Sequence, residues 1–358
     1  MILTKKNISG NNKRVLVGIS GGVDSSVSAI LLKKQGYDVE GVFAKVWQPD
    51  FTPCTWRDEM KDAMRVCARL DIPFHFLDLE HEYKALVGDY MISEYKAGRT
   101  PNPDVMCNTH IKFGLIYDFA IRNGFDFVAT GHYARNEGGQ LKRGSDANKD
   151  QSYFLWNVPK DRFDRILFPV GHLTKPEVRK VARQHSLFTS QKKDSQGLCF
   201  IGQVDMKAFL KNLIEVSPGD VINQSGEIIG AHEGARLYTV GERHGFTIEP
   251  RHKGTHDKPL FVIDKDIALN TLTVSDTAPA VTQVLMCDVN KLGHHFPTEA
   301  LVQFRYRQKP IRAHIKEDSG MCTLIIEGYV DSIATGQSAV LYHDDVCLGG
   351  GIVDKVIY

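Results

Sequence analysis

The chain has 358 residues, 42% of them hydrophobic and 24% charged, with 44 Lys+Arg against 43 Asp+Glu for a formal net charge of +1. That length implies two or three domains, each able to bury a core, and the composition excludes a disordered chain. No apolar run approaches the ~18 residues of a membrane span, and the N-terminus lacks the apolar core of a signal peptide, so a cytoplasmic location with no membrane partner is expected.

Seven cysteines (Cys54, Cys67, Cys107, Cys199, Cys287, Cys322 and Cys347) lie 13 to 92 residues apart with no CxxC pair. This spacing argues against a zinc ribbon or a thioredoxin-type motif, and no metal-ligating set stands out. A net charge near zero gives no hint of a polyanionic partner, so any evidence for one must be local.

In chain order, Arg14–Ile19 is a continuous apolar run of the kind buried in a parallel sheet. A helix follows with Val27, Ile30 and Leu31 on one face and Gly36 as its stop. Val39–Trp47 reads as a second strand, and Asp58–Leu70 as a helix with Met60, Ala63, Met64, Cys67 and Leu70 on one stripe. Phe74–Leu79 is a third strand, a helix through Tyr83, Leu86, Val87, Tyr90 and Met91 comes next, and Phe125–Thr130 is a fourth strand. This alternation predicts a doubly wound α/β domain with a mostly parallel sheet.

Pro101 and Pro103 oppose regular structure between Lys96 and Lys112, which predicts a loop there. Thr174-Lys175-Pro176-Glu177 combines a capping box with an early proline, and opens a helix running to about Ser186. A second loop, SQKKDSQGLCFIG, carries Cys199. Near residue 205 the chain turns glycine-rich with short strands. From about 280 it is strand-like throughout, including ALVQFRYRQ, IRAHIK, CTLIIEG and SAVLYHDDVCLGGGIV, which predicts a small antiparallel barrel or sandwich.

Gly18-Ile19-Ser20-Gly21-Gly22-Val23-Asp24-Ser25-Ser26 joins the first strand to the first helix. Backbone N–H groups and the helix N-terminus converge there on an anion, adjacent glycines admit oxygen atoms closely, and serines add donors. The stretch is neither a Walker A motif nor GxGxxG. SGGVDSS resembles the PP-loop of the ATP pyrophosphatases. GRTPNPDVMCN, ATGHYAR, KDQSYFLW, KKDSQGLCFIG, YTVGERHGF, FRYRQ and TGQSAVLYHDDVCLGGG resemble, in order and spacing, the bacterial tRNA-specific 2-thiouridylase (MnmA) family, from about residue 13 to 354.

The resemblance implies a three-part organisation: a PP-loop ATP-binding catalytic domain over 1–205, a small mixed central linker domain over 206–278, and a C-terminal antiparallel β-barrel that binds tRNA over 279–358. It implies ATP-dependent 2-thiolation of a wobble uridine through an adenylated base. ATP with Mg2+ would be the co-substrate, the anticodon stem-loop of tRNA the substrate, and a cysteine desulfurase or a relay carrier the sulfur donor.

On the residues alone, Cys67, Cys287, Cys322 and Cys347 sit in apolar helical or strand patterns and read as packing groups. Cys107 and Cys199 sit in polar stretches, where burial and reactivity are equally open. Lys192 and Lys193 close before Cys199 would favour a thiolate, and Asp104 three residues before Cys107 could handle a proton. The resemblance makes Cys199 the persulfide carrier and Cys107 the nucleophile that attacks it, with a Cys107–Cys199 disulfide as one product.

By the same resemblance, Gly18, Ile19, Ser20, Gly21, Gly22, Val23, Asp24, Ser25, Ala44 and Gly131 border ATP, although methionine is usual at Ala44. Asn102, Pro103 and Asp104 hold the target base, and His132, Lys149, Asp150, Gln151, Arg305, Tyr306 and Gln337 contact tRNA. The segment QPDFTPCTWRDEM departs from the family's acid-rich stretch, and GERHGF stands where GQRKGL is frequent; neither is assigned chemistry.

Two windows are basic. Residues 301–316 hold five Lys/Arg and no acid, and 175–193 hold six against one acid, enough to track phosphates. A small-molecule PP-loop amidotransferase would leave the two cysteines and the basic barrel without purpose. A tRNA-binding module lacking turnover and an iron–sulfur protein are further readings; two conspicuous cysteines cannot build a four-thiolate site.

Overall fold

The computed structural model describes residues 12–193, 205–252, 259–278, 280–318, 321–330 and 332–358. It divides into two compact units. The first comprises the described residues of 1–86, 104–203 and 345–347, and the second those of 87–103, 204–344 and 348–358.

The chain begins β1 (Arg14–Gly18), α1 (Val23–Lys34), β2 (Asp38–Lys45), α2 (Trp56–Leu70), β3 (Phe74–Asp78), α3 (Glu80–Tyr83), α4 (Asp89–Lys96), α5 (Pro103–Met106) and α6 (Ile116–Arg122). It continues with β4 (Phe127–Ala129), β5 (Ala134–Glu137), β6 (Gln140–Arg143), β7 (Ile166–Leu167) and α7 (Lys175–Gln184). Five strands form a parallel sheet in the order β3-β2-β1-β4-β7. Val15, Leu16 and Val17 of β1 are fully buried, as a central strand covered on both faces requires.

On one face Val15, Val17, Ala29, Leu32, Phe43, Ala63, Val66 and Cys67 share a core. On another, Val23, Val27 and Ile30 of α1 meet Val178 and Ala182 of α7. Helix α1 is therefore buried nearly all round, and its apolar residues do not confine themselves to the one face expected.

Three local expectations are corrected. Met64 on α2 is 46% exposed while Val66 is fully buried, so the inward stripe runs through Val66 instead. The expected loop over Lys96–Lys112 is helical from Pro103 onward: α5 passes into a wide π-helical stretch, Cys107–Leu115, and then into α6. Pro103 is the first helical residue, where its missing N–H costs nothing and its fixed φ favours the helix. The expected strand ALVQFRYRQ ends at Gln303, because the Gln308 side-chain oxygen accepts the Phe304 and Arg305 amides at 2.9 and 3.1 Å and turns the chain.

In the second unit α8 (Met206–Lys211) is capped by Asp205, whose carboxylate accepts the amides of Lys207 and Ala208. A mixed sheet follows from β8 (Gly219–Ile222), β9 (Ile228–His232), β10 (Phe246–Ile248), β11 (Phe261–Asp266) and β12 (Thr271–Ser275), ordered β10-β9-β8-β12-β11. Then come β13 (Gln283–Lys291), β14 (Glu299–Gln303), β15 (Ile311–Asp318), β16 (Met321–Ile326), β17 (Ser338–His343) and β18 (Val346–Ile357). Their order β13-β16-β15-β14-β17-β18, closed by pairing of β13 with β18, makes a six-stranded antiparallel barrel among the described residues. Val284, Val302, Phe304, Leu324, Leu341 and Val353 fill it, and closure removes exposed strand edges. No helix among the described residues is long and apolar enough to cross a membrane.

Candidate active site

The chain builds β2 and β3 on one side of β1 and returns to place β4 on the other. The carboxyl end of β1 is thus a topological switch point, where open α/β sheets bind ligands. The glycine–serine loop lies there. Ile19 is buried and its amide is held by the Val42 carbonyl at 2.8 Å, which fixes the exit from β1.

Gly21 has φ +70°, and a Cβ there would stand 2.8 Å from the Glu59 carbonyl oxygen and 2.9 Å from Asp62 Cβ. Glycine is required on both counts. Gly131, just past β4, packs so closely on the start of α1 that a Cβ would lie 2.6 Å from the Ser25 amide nitrogen. The Ser20 amide reaches Ser25 Oγ at 3.2 Å and Ser26 Oγ donates to the Gly22 carbonyl at 2.7 Å. The first turn of α1 therefore begins beside two glycines that keep side chains away from its amides, an arrangement that suits a phosphate chain.

Charged groups surround this loop. Asp24 accepts both oxygens' worth of bonding from Lys175 Nζ, at 2.8 Å each, and a bond from the Tyr133 hydroxyl at 2.7 Å. Lys192 Nζ donates to the Gly21 carbonyl at 3.1 Å and to Asp62 at 2.7 Å. Burial raises the Glu59 carboxyl above its ordinary range, against the pull of Lys192. Tyr133, Lys175 and Lys192 were not singled out as ligand-site residues from sequence, although Lys175 opens the recognised capping box, which the Thr174–Glu177 bonds confirm. Ala44 is buried near the carboxyl end of β2.

Cys107 is fully buried at the start of the π-helical stretch, and Asp104, half-buried, lies one turn earlier on the same face. π-Helical turns are rare and concentrate at functional sites. Gly114 makes this one possible, since a Cβ there would stand 2.9 Å from the Thr109 carbonyl oxygen. Asn108 donates to the Phe154 carbonyl at 3.0 Å, and Lys112 Nζ donates to Asn108 Oδ1 at 2.9 Å and approaches His132 Nε2 at 3.4 Å.

His132 Nδ1 lies 2.7 Å from the Thr130 hydroxyl. Burial, then the Lys112 charge, hold this imidazole's pKa well below its ordinary range, so the neutral ring places its proton on Nδ1 and accepts from Lys112 through Nε2. Cys199 and its flanks lie outside the described residues. Burial pushes the Cys67 and Cys322 thiols up to about 11, Cys347 is buried, Cys287 is half-buried and Cys54 is exposed.

The positions carried over as tRNA contacts are largely engaged in the interior. Asp150 accepts from Arg143 and from the Gly144 and Ser152 amides. Gln151 exchanges bonds with the Tyr133 backbone, accepting at 3.0 Å and donating its amide at 2.8 Å. This ties Gln151, Tyr133 and Asp24 into one chain of contacts. Gln337 Nε2 donates to the Thr100 and Pro101 carbonyls at 2.9 and 3.2 Å, bracing the strap that leads into Asn102 and Pro103. Arg305 donates to the Val240 carbonyl at 2.8 Å and Ser332 Oγ at 3.1 Å. Lys149 and Tyr306 are half-buried.

Family models match in chain order: the tRNA methyl transferase HUP domain over residues 13–203, the tRNA methyl transferase PRC-barrel domain over 207–276, and the aminomethyltransferase beta-barrel domain over 281–353. The tRNA-specific 2-thiouridylase MnmA of Streptococcus agalactiae is 42% identical, covering 96% of this chain and 96% of its own. The enzyme of the same name from Pseudoalteromonas translucida is 44% identical, covering 96% of this chain and 98% of its own. The chain belongs to the tRNA-specific 2-thiouridylase family.

Among solved structures it is similar to the U34-tRNA thiolase NcsA from Methanococcus maripaludis. That match has 18% identity and a TM-score of 0.37, over 55% of this chain and 64% of that one. Gly21 in the loop and Gly131 after β4 both stand where no side chain fits.

Proposed function

We propose that the chain is an ATP-dependent tRNA uridine 2-sulfurtransferase that thiolates the wobble uridine. The observation that carries the reading is the cradle at the end of β1, closed by Gly131 and flanked by Lys175 and Lys192, in a chain 42–44% identical to 2-thiouridylases over 96% of its length. The family models' descriptions speak of methyl transfer; a glycine–serine phosphate loop at a parallel-sheet switch point suits cleavage of a nucleoside triphosphate instead.

The C2 oxygen of uracil is a poor leaving group. Attack of that oxygen on the α-phosphate of ATP forms a C2–O–P bond and expels diphosphate. A persulfide sulfur on Cys199 then attacks C2, the C–O bond breaks and AMP leaves. The Cys107 thiolate attacks Cys199 Sγ, the S–S bond to the transferred sulfur breaks, and 2-thiouridine departs with a Cys107–Cys199 disulfide left behind. Asp104, on the Cys107 face of its helix, handles the proton. Holding base, nucleotide and persulfide together can supply ~7–11 kcal/mol of the acceleration.

Gly18, Ile19, Ser20, Gly21, Gly22, Val23, Asp24, Ser25, Ala44 and Gly131 form the ATP site, and Mg2+ would accompany the nucleotide and neutralise its phosphate charge. Asn102, Pro103 and Asp104 hold the base, and His132, Lys149, Asp150, Gln151, Arg305, Tyr306 and Gln337 position tRNA directly or through the contacts described. Catalysis is assigned to 1–205, a linking role to 206–278 and tRNA binding to 279–358. A cysteine desulfurase or relay carrier loads Cys199, in the cytoplasm.

The test is incubation with ATP, Mg2+, a persulfide source and unmodified tRNA carrying a wobble uridine. AMP and 2-thiouridine should form together, and Cys107→Ser or Cys199→Ser should abolish thiolation while ATP still binds. AMP formation indifferent to tRNA would sink the reading.

A further inference from the structure

The motif Tyr-Thr-Val-Gly-Glu-Arg-His-Gly-Phe carries no assigned chemistry, yet its Gly241 and Arg243 line a cavity of about 930 Å³ within the second unit. Phe261, Arg305, Lys309 and Tyr329 form other parts of its wall, and among the described lining residues Asp276 is the one carboxylate. The volume lies in the ~300–1,000 Å³ range of small-ligand sites.

The wall is built. Gly241 has φ +91°, and a Cβ there would stand 2.2 Å from Ser332 Oγ and 2.9 Å from an Arg305 guanidinium nitrogen. Arg305 is committed to that wall, since its bonds to the Val240 carbonyl and Ser332 clamp the motif against the barrel. Arg243 and Lys309 are exposed. The Arg243 guanidinium sits over the Phe261 ring, 5.9 Å from its centroid, and Tyr329 is 60% exposed after β16. Two exposed cations beside an exposed aromatic face are what a single-stranded nucleotide requires: charge for the phosphate and a platform for the base.

We propose that this cavity takes one unstacked nucleotide of the tRNA substrate, other than the target uridine, with its phosphate on Arg243 and Lys309 and its base on Tyr329. The proposal rests on the thiolase reading and adds a second point of RNA capture remote in sequence from the PP-loop.

The experiment measures binding of unmodified tRNA to the full chain across a KCl series, beside thiolation and ATP affinity. Arg243→Gln/Lys309→Gln should weaken RNA binding about tenfold and flatten the salt slope by about 0.7, the value for one neutralised phosphate of a single strand. Tyr329→Ala should weaken binding about tenfold with the slope retained, and Gly241→Ala, which keeps every charge, should do likewise. ATP affinity should not move in any variant, and thermal melts near that of the wild type confirm that each folds.

A wild-type chain that binds and thiolates tRNA while the double variant keeps both affinity and slope overturns the cavity alone. A wild-type chain that neither binds nor thiolates tRNA overturns the thiolase reading, and the cavity with it.

Discussion

Replacement of Lys175 by methionine tests whether the PP-loop is held by charge. Lys175 Nζ is 2.8 Å from both Asp24 oxygens, with side chains only 11% and 31% exposed. Hydrogen bonds to charged groups contribute ~1.5–3 kcal/mol, and breaking a fully buried pair costs ~3–5 kcal/mol. The partial exposure of Asp24 places this pair near ~2 kcal/mol. At about 2–4 °C per kcal/mol for a domain of this size, Lys175→Met should lower Tm by about 4–8 °C. It also leaves the Asp24 carboxylate uncompensated where phosphates approach, so the KM for ATP should rise about tenfold, equal to ~1.4 kcal/mol. Asp24→Asn combined with Lys175→Met removes both charges and should recover part of each loss, a coupling of ~1–3 kcal/mol in a double-mutant cycle. A Tm change under about 1 °C, or additivity within ~0.5 kcal/mol, would refute the claim that this pair organises the loop.

Gly131→Ala drives a methyl to 2.6 Å from the Ser25 amide nitrogen; calorimetry of ATP binding should show at least a tenfold loss, with ~1–3 kcal/mol lost from stability in denaturant titration. Gln337→Ala removes two bonds to the 100–101 strap and should cost ~1–2 kcal/mol of stability, whereas a side chain that served only as an RNA contact would cost none in the absence of tRNA.

Burial lowers Lys265 from 10.5 to about 8, so between those pH values the unfolded chain binds the extra proton. The lysine's contribution to stability is lowest below about 8 and rises toward 10.5, and Lys265→Met should abolish a rise of ~1–3 kcal/mol in stability measured against pH. Thiol labelling of the native chain should modify exposed Cys54 well before Cys67, Cys322 and Cys347, which should react only on unfolding.

Local signals in the sequence carried far. The apolar run of β1, the loop after it and the Thr174–Glu177 box each involve a few adjacent residues, and the structure contains all three. What escaped depends on contacts distant in sequence. Lys175 reaches Asp24 across 151 positions and Tyr133 reaches it across 109, and no local pattern encodes those distances. Pro103 was read as a breaker because proline has two opposite meanings, and only its place at the first turn decides between them. Met64 and Val66 differ by two positions on α2, and the stripe's phase was set by packing on the sheet. The strand after Ala300 ends early because one side chain, Gln308, takes two backbone amides that a ladder would have used.

Residues that resemble tRNA contacts are also, in this chain, internal braces, and that has an energetic consequence. Turning Gln337 or Arg305 outward toward RNA would first break bonds to Thr100, Pro101, Val240 or Ser332, at ~0.5–1.5 kcal/mol each for ordinary hydrogen bonds and more for a guanidinium. Their net return in affinity is reduced by that amount. Lys309 is exposed, and a phosphate bound there displaces only water and counterions, so the salt-dependent part of RNA affinity should come chiefly from such rim cations. On the proposed reading the braces would serve specificity, by fixing where the Asn102–Pro103 strap and the Gly241 wall stand before RNA arrives. A chain of net charge +1 can hold a polyanion on that basis, because the cations that count are those whose bonds are not already made.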